Sequence, residues 1–300
     1  MSAYLFRVSL CNATGPVLQR LFVRITARAG FFAMVFGTAA PIPINGEVNC
    51  SFIMKKFGII GGLAWPSTVE YYRLLCSKTN KHFQRQAVDA PYPTPPMVIE
   101  SLNMNMTRQL RGKKGDESSW AAYDEVFRAA FLRLKDAGAE FGLIASNSPH
   151  MRWDGIQRGL DFPLLSILET TAGIVQTLAG TAAFILGTSM TMRSPVYTQT
   201  LNRHGINVLA TPSDDEIAAM DRLIDIDLYQ NDAGKAKEFI LGLCRRNVAE
   251  PDTAIVCLAC TELPLAFPEY RESASFESDG FRFVNTTVAH IDATLRKALA

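Results

Sequence analysis

The sequence predicts an α/β fold made of two similar halves, each built on a doubly wound parallel β-sheet. Short apolar runs that are typical of strands alternate along the chain with longer amphipathic segments. This alternation indicates parallel strands whose two faces are both covered by helices. In addition, two pairs of segments more than a hundred residues apart repeat one pattern in the same order and with similar spacing, which indicates an internal duplication.

The first repeated pattern is a short strand that stops at glycine. The run from Phe57 to Gly62 matches the run from Ala183 to Thr188. Both are apolar, and both reach a glycine where the chain must turn tightly.

The second repeated pattern is a strand that leads through alanine into a small reactive residue. Leu143–Ala145 precedes Ser146, and Cys257–Ala259 precedes Cys260. Ligands of parallel sheets bind outside the carboxyl ends of the strands. The pattern therefore predicts that Ser146 and Cys260 lie on opposite faces of one bound molecule.

The first half contains the following elements in chain order. After the strand at Phe57, Ser67–Glu70 resembles a capping box that starts a helix continuing to Asn80. Apolar residues that recur at intervals of three and four residues indicate a helix over Ala121–Ala137, and Gly138 ends it. The remaining predictions are a loop over 91–96, a strand over 97–102, an exposed polar stretch over 113–119 and a strand over 141–145.

The second half repeats the alternation. Its predicted strands are 164–166, 182–186, 206–209, 254–259 and 281–284. Its predicted helices are 168–179, 194–203, 214–229, 233–247 and 287–299.

Composition and charge narrow the class of protein. The 300 residues carry a formal net charge of +1, and only 20% are charged, so charge alone gives no case for nucleic-acid binding. No run of eighteen apolar residues occurs, so we expect no membrane span. These features favour a soluble enzyme with ample core.

The first 53 residues differ from the rest. They hold four arginines, no lysine and a single acidic residue, Glu47, which leaves 26 basic and 28 acidic side chains, a net of −2, in the remainder. A targeting segment with an apolar stretch over 29–40 is one interpretation, but the basic region is too long for a good secretory signal. We expect 1–53 to be an N-terminal extension, disordered or outside the enzyme, with Met54 as a natural start.

Six scattered cysteines lack the short spacing of a disulfide framework, which favours reduced thiols and a cytoplasmic protein. Cys257 and Cys260 are spaced as in a zinc or redox motif, but the sequence has no second pair of ligands at the spacing found in zinc fingers. Cys257 lies inside an apolar run and is expected in the core, so we predict no metal site. Cys260 is left as the candidate reactive thiol.

Four sequence blocks resemble those of the aspartate/glutamate racemases, and the resemblance spans residues 54–300. The blocks are Gly61–Leu74, Ser146–His150, Leu186–Thr188 and Cys260–Pro264. The resemblance implies an enzyme without cofactor, two similar α/β domains, an active site in the cleft between them, an amino-acid substrate and a possible homodimer. It further implies that the first domain comprises 54–165 plus 285–300, and the second 166–284.

The family pattern places one cysteine from each domain on either side of the substrate α-carbon. Cys260 matches the second cysteine, whereas Ser146 stands at the first position. Some members specific for L-aspartate and L-glutamate are similar in carrying a hydroxyl residue, threonine, there. A second departure is Asn285, where family members usually have aspartate before threonine.

Racemisation of this kind removes an α-proton from one face and returns one to the other, so the pocket must stabilise negative charge on the carboxylate. A thiolate is a good base, and helix N-termini near Cys260 would lower its pKa further. Ser146 is a much weaker acid, which predicts unequal rates from the two enantiomers. The candidate residues for binding substrate are Asn147, Ser148, Gly187, Thr188, Thr261 and Asn103, with Glu262 orienting or deprotonating Cys260 and His150 supporting the Ser146 loop.

Each candidate has a structural alternative. Ser146 could cap a helix, Glu262 could be a first-turn partner of the helix dipole, and Asn103 could shape a turn. His150 could be a structural loop residue. Two other functions also stay open: a decarboxylase of malonate-type acids, which needs one cysteine, and a non-catalytic protein that binds amino acids or dicarboxylates.

Overall fold

Two separate β-sheets form the framework of the protein, as the duplicated pattern predicts. A computed structural model describes residues 54–85, 93–228 and 233–300. The predicted N-terminal extension over 1–53 lies outside these residues, as do parts of the predicted loop over 91–96 and helix over 214–229. The strands are β1 (Phe57–Gly61), β2 (Met97–Ser101), β3 (Phe141–Ile144), β4 (Leu164–Leu165), β5 (Ala182–Leu186), β6 (Asn207–Val208), β7 (Ala254–Leu258), β8 (Ser275–Ser278) and β9 (Phe281–Asn285).

The two sheets share one strand order. The first runs β2-β1-β3-β4 with every pair parallel, and the second runs β6-β5-β7-β9 with every pair parallel. β1 and β5 therefore occupy equivalent positions, and so do β3 and β7. The prediction of two similar parallel-sheet halves is confirmed.

One edge strand was not predicted. β8 lies antiparallel to β9 at the end of the second sheet. Asp279 and Gly280 connect the two strands, and both have positive φ, 52° and 79°. Two left-handed residues are what a tight Asp-Gly hairpin turn requires, so the sequence did contain a signal for this hairpin.

Helices cover both faces of each sheet. They are α1 (Trp65–Arg85), α2 (Met104–Gln109), α3 (Ala121–Asp136), α4 (Trp153–Gln157), α5 (Ile167–Thr177), α6 (Ser189–Met192), α7 (Pro195–Arg203), α8 (Asp214–Arg222), α9 (Ala233–Asn247) and α10 (Thr286–Leu299). A π-helix over Leu223–Leu228 continues α8, and short 3₁₀ segments include Glu117–Trp120, Ser148–Arg152 and Leu263–Ala266.

The hydrophobic core has a layer on each face of each sheet. In the first sheet, α1 and α10 bury their apolar residues on one face and α3 on the other. In the second sheet, α5 and α7 cover one face, and α8 and α9 cover the other. This arrangement confirms the doubly wound prediction. α10 follows β9 of the second sheet in the chain, yet its Val288, Ile291 and Leu295 pack in the core of the first.

The described helices include none that is long and apolar enough to span a membrane. The described cysteines, Cys76, Cys244, Cys257 and Cys260, are free thiols. Cys257 is fully buried in the core beside α5 and α7, as predicted, and burial raises the pKa of its thiol to about 12.

Candidate active site

β3 and β7 end in the same way at equivalent positions. The amide of Ala145 donates a hydrogen bond to a backbone carbonyl oxygen near the C-terminal end of β1, with an N···O distance of 2.9 Å. The amide of Ala259 donates a hydrogen bond to the backbone carbonyl oxygen at the C-terminal end of β5, with an N···O distance of 2.6 Å. The next residue in each case leaves the sheet: it is Ser146 in the first sheet and Cys260 in the second. The duplication detected in the sequence therefore extends to the backbone hydrogen bonds that position the two candidate side chains.

A cleft of about 640 Å³ lies at these strand ends, and both Ser146 and Cys260 line it. The other predicted residues that line it are Asn147, Ser148, Thr188, Thr261 and Glu262. Gly187, Asn103 and His150 are outside the lining of this cleft. Residues from the carboxyl ends of both sheets thus meet in one cavity, which is where parallel sheets bind ligands.

Cys260 is paired with a carboxylate. Only 8% of its surface is exposed, and its Sγ donates a hydrogen bond to Glu262 Oε2 at 2.9 Å. Burial raises the pKa of the Cys260 thiol well above its usual range, and the negative charge of Glu262 raises it further. The predicted net lowering of the pKa is wrong, because burial and the Glu262 carboxylate outweigh the lowering by the Glu262 backbone N–H. Cys260 is a thiol at neutral pH, and Glu262 is placed to accept its proton.

Glu262 is held on both of its oxygens. Thr261 Oγ1 donates to Oε2 at 2.8 Å, and Ser67 Oγ lies 3.4 Å from Oε1 as a donor. Ser67 Oγ also lies 2.6 Å from Thr261 Oγ1. Since Ser67 belongs to α1, these contacts connect the helix after β1 to the loop after β7.

The predicted capping box at Ser67 is wrong. α1 begins at Trp65, so Ser67 lies inside its first turn and its hydroxyl is directed to Thr261 and Glu262. Pro66 explains the earlier start, because proline suits the first turn of a helix, where amides have no intrahelical acceptor. The neighbouring Thr68 accepts a hydrogen bond from the Gly62 amide at 2.8 Å.

His150 supports the backbone of Ser146 from the buried side. The Ile167 amide donates to His150 Nε2 at 3.3 Å, so Nδ1 carries the proton and donates to the Ser146 carbonyl oxygen at 2.9 Å. Burial and, to a smaller extent, the nearby His290 lower the pKa of His150 to about 3. His150 is therefore a neutral positioning group.

Ser146 does not act as a helix cap. The 3₁₀ helix Ser148–Arg152 takes Asn147 as its first flanking residue and has no side-chain cap. Ser146 is half-buried and lines the cleft.

Two predicted binding residues are occupied by structural contacts. The Asn147 side chain accepts from Tyr197 and donates to Thr286 Oγ1 at 3.3 Å, both in the buried interior. At Gly187, an added Cβ would lie 2.7 Å from the Ala259 carbonyl oxygen, so glycine allows β5 and β7 to approach. Gly187 lies outside the lining of the cleft, and its predicted role in binding substrate stays a prediction.

Ser148 and Thr188 bring the ends of the two sheets together. Their hydroxyl oxygens lie 3.3 Å apart, and Thr188 Oγ1 lies 3.3 Å from Thr191 Oγ1. Both Ser148 and Thr188 line the cleft, one from the end of each sheet.

Asn103 caps α2 and stays out of the cleft. Its Oδ1 accepts from the amides of Asn105 and Met106, at 2.9 and 3.2 Å. The structural alternative for Asn103, shaping the chain, is thus what is observed. Thr107 and Arg108, in the short helix that Asn103 caps, line the cleft.

Charged residues that the sequence did not reveal as candidates also line the cleft. Arg108 and Arg111 come from the segment after β2, and within the described part of the chain neither guanidinium forms an ion pair. Asp221 and Asp225 come from α8 and the π-helix that follows it. Asp221 Oδ1 accepts from the Ser189 amide at 2.8 Å. In the sequence, the members of each pair are separated by a helical spacing. Charged residues on a solvent-exposed helix face have the same spacing, so the sequence did not identify these residues as part of a site.

Comparison with known proteins gives one family. The family model described as Asp/Glu/Hydantoin racemase matches residues 60–294. An aspartate racemase homologue from Pyrococcus horikoshii OT3 is 28% identical, with a TM-score of 0.65 over 82% of this chain and 100% of that one. The aspartate racemase of Picrophilus torridus is 21% identical, with a TM-score of 0.60 over 81% of this chain and 94% of its own, and it supports the fold.

The chain is also similar to a broad specificity amino-acid racemase, RacX, of Bacillus subtilis (strain 168). The two are 30% identical over 90 residues, which are 29% of this chain. The match spans 39% of that relative's length.

Proposed function

Because the chain belongs to the Asp/Glu/hydantoin racemase family, we propose that it is a cofactor-independent racemase of aspartate, glutamate or both. One observation carries the proposal: Cys260 and Ser146 leave equivalent strand ends of two matching sheets and line a single cleft. An α-carbon bound between them would have one of the two side chains on each face.

The proposed reaction begins at the Cys260–Glu262 pair. Glu262 Oε2 takes the thiol proton along the existing hydrogen bond, and the thiolate then removes the α-proton of the substrate. Ser146 gives a proton to the opposite face of the carbanion and regains one from water. Return of the Glu262 proton to solvent completes the cycle.

The developing charge on the substrate carboxylate requires nearby donors. The hydroxyl groups of Ser148, Thr188 and Thr261 line the cleft close to the two strand ends and supply such donors. Preorganised hydrogen bonds of this kind stabilise a transition state more than they stabilise the ground state.

The charged walls support an acidic amino acid as the substrate. Arg108 and Arg111 offer two guanidinium groups to carboxylates, which they can bind in a bidentate manner. Asp225 also lines the cleft, and its charge is close enough to raise the pKa of Cys260, so this carboxylate would bind the substrate ammonium group. The P. horikoshii relative is described as an aspartate racemase homologue. The B. subtilis relative is described as a broad specificity amino-acid racemase.

The proposal is tested by NMR of α-proton exchange in D₂O over a panel of L- and D-amino acids. Exchange into aspartate or glutamate, followed by formation of the other enantiomer, is the expected result. Release of CO₂ from a malonate-type acid would instead establish a decarboxylase. Binding of dicarboxylates with no exchange would establish a binding protein.

We further propose a homodimer formed through an exposed apolar stripe on α1. Trp65, Val69 and Tyr72 recur at helical spacing, and their exposures of 66%, 55% and 49% are high for large apolar side chains. Sedimentation should give twice the monomer mass, and a Val69→Glu variant should sediment as a monomer. The cytoplasmic location indicated by the cysteine pattern stays a prediction.

A further inference from the structure

A second, smaller cavity lies directly behind Glu262. It has a volume of about 50 Å³ and shares three lining residues with the large cleft: Ser67, Thr261 and Glu262. Glu262 is thus part of the wall between the two cavities.

The two oxygens of Glu262 have different partners. Oε2 accepts from Cys260 and Thr261, whereas Oε1 is approached by Ser67 of α1. A proton that reaches this carboxylate from the thiol can therefore leave from the other oxygen.

Thr287 supplies a polar group that lacks a protein partner. It lies in the first turn of α10, is 2% exposed and lines the small cavity. Its Oγ1 has no hydrogen-bond partner within the described part of the chain. A buried hydroxyl group without a partner costs about 1–3 kcal/mol, and a polar cavity needs only about 10–15 Å³ to hold a water molecule. The small cavity is large enough for such a water.

An ion pair lies at the outer side of the small cavity. Glu70 and Arg271 both line the cavity and form two N···O contacts of 3.0 Å. Side-chain exposure rises from 14% at Glu70 to 44% at Arg271, so this pair lies between the cavity and solvent.

We propose that the small cavity is a water-filled proton passage between Glu262 and solvent, in which Thr287 positions the water. This inference rests on the proposed racemase function. In each turnover Glu262 gains the Cys260 proton, and it must lose one proton to water before the pair can react again. A substrate in the cleft covers the front of the thiol, and the passage lets the Glu262 proton leave to bulk water without crossing the substrate.

The first test is structural and does not depend on activity. A high-resolution crystal structure should show ordered water within hydrogen-bond distance of Thr287 Oγ1, in the wild type and in Thr287→Ser. Thr287→Val keeps the shape of the side chain and should lose that water. A wild-type cavity without water would overturn the inference, whatever the enzyme does.

The second test measures loss of label from substrate carrying deuterium at the α-carbon, in H₂O. Two rates are compared: the rate at which unreacted substrate exchanges its α-deuterium for protium, and the rate at which the other enantiomer forms. The ratio of the first to the second should fall several-fold in Thr287→Val and stay near the wild-type value in Thr287→Ser. An unchanged ratio in Thr287→Val would overturn the passage. Absence of exchange in the wild type with every amino acid would reject the proposed function instead, while the crystallographic result would still decide the cavity.

Discussion

The hydrogen bond between Cys260 and Glu262 determines how the thiol can react. A carboxylate at 2.9 Å disfavours the thiolate, yet it is also the group that can accept the thiol proton. In the proposed mechanism, the same neighbour keeps Cys260 protonated in the free protein and accepts its proton when substrate is bound.

Replacing Glu262 with glutamine should separate these two effects. Removal of the negative charge lowers the pKa of Cys260, so alkylation by iodoacetamide should reach its half-maximal rate at a lower pH than in the wild type. Racemisation should fall by about 10²–10⁴, as expected for loss of a general base. Peptide mass spectrometry identifies the alkylated cysteine. An alkylation profile moved to higher pH would contradict this assignment.

Ser146 should make the enzyme unequal toward the two enantiomers. α-Proton exchange should be fast from the enantiomer whose proton faces Cys260 and slow from the other, because serine is a poor base. Ser146→Cys should raise the slow rate and narrow the difference, while Ser146→Ala serves as the control. Equal exchange rates from L- and D-substrate in the wild type would contradict the asymmetry.

The sequence predicted the positions of the two candidate reactive residues better than their surroundings. Ser146 and Cys260 line the cleft as predicted because a strand end limits where a side chain can lie, and their reactivity stays a prediction. The sequence left the role of Asn103 open because a residue between a strand and a helix can either bind or cap, and the structure shows the cap. Arg108 and Asp225 were missed, since exposed charges on short helices look the same in sequence whether they face solvent or a cleft.

At the scale of elements, two buried histidines connect the ends of the sheets to the helices. His290 Nε2 lies 3.1 Å from the Leu165 carbonyl oxygen and donates to it, while Nδ1 accepts from Tyr71 at 2.9 Å. Burial lowers the pKa of His290 to about 4 and that of His150 to about 3. Both are neutral in the folded protein.

These histidines should make the protein sensitive to mild acid. Between the unfolded pKa near 6.5 and the folded values, the unfolded chain binds more protons, so the free energy of unfolding falls as the pH falls. Each histidine contributes up to about 1.4 kcal/mol per pH unit. Urea unfolding from pH 7.5 to 4.5 should show this loss, with a smaller slope in His290→Gln, which can keep both hydrogen bonds. An equal slope in the variant would contradict the assignment.

The short helix after Ser146 is anchored by a buried ion pair. Arg152 and Asp124 form an N···O contact of 2.7 Å with side-chain exposures of 13% and 8%. Arg152→Gln should lower the free energy of unfolding by about 3–5 kcal/mol, because it leaves a buried carboxylate unpaired. Arg133→Gln, which breaks an exposed pair with Glu100, should cost about 0–1 kcal/mol. Equal losses in the two variants, measured by urea unfolding, would show that burial does not decide the effect.

Elements with strong periodicity were predicted closely, whereas one short helix and the hydrogen bonding of another helix were not. The helix predicted over 121–137 is observed as Ala121–Asp136, ended by Gly138 at φ 84°. α2 was missed because six residues are too few to show an apolar repeat. The predicted helix over 214–229 becomes a π-helix after Arg222, a change in hydrogen bonding that apolar spacing does not reveal.

At the scale of the whole molecule, the shared strand order explains why a duplicated sequence pattern was informative. We propose that the domain limits are 54–165 plus 285–300 for the first domain and 166–284 for the second. The packing of α10 in the core of the first sheet, after a strand of the second, supports these limits. Periodicity predicts that such a helix exists but not which sheet it covers, so this part came from family resemblance.

The central claim is that the Cys260 thiol carries the substrate α-proton, and one measurement tests it directly. The α-proton exchange of L- and D-aspartate and L- and D-glutamate is followed by NMR in D₂O with the wild type and with Cys260→Ala, whose folding is checked by circular dichroism. We predict exchange with the wild type and its loss in Cys260→Ala, while substrate binding, measured by calorimetry, persists. Exchange that continues undiminished without this thiol would contradict the account.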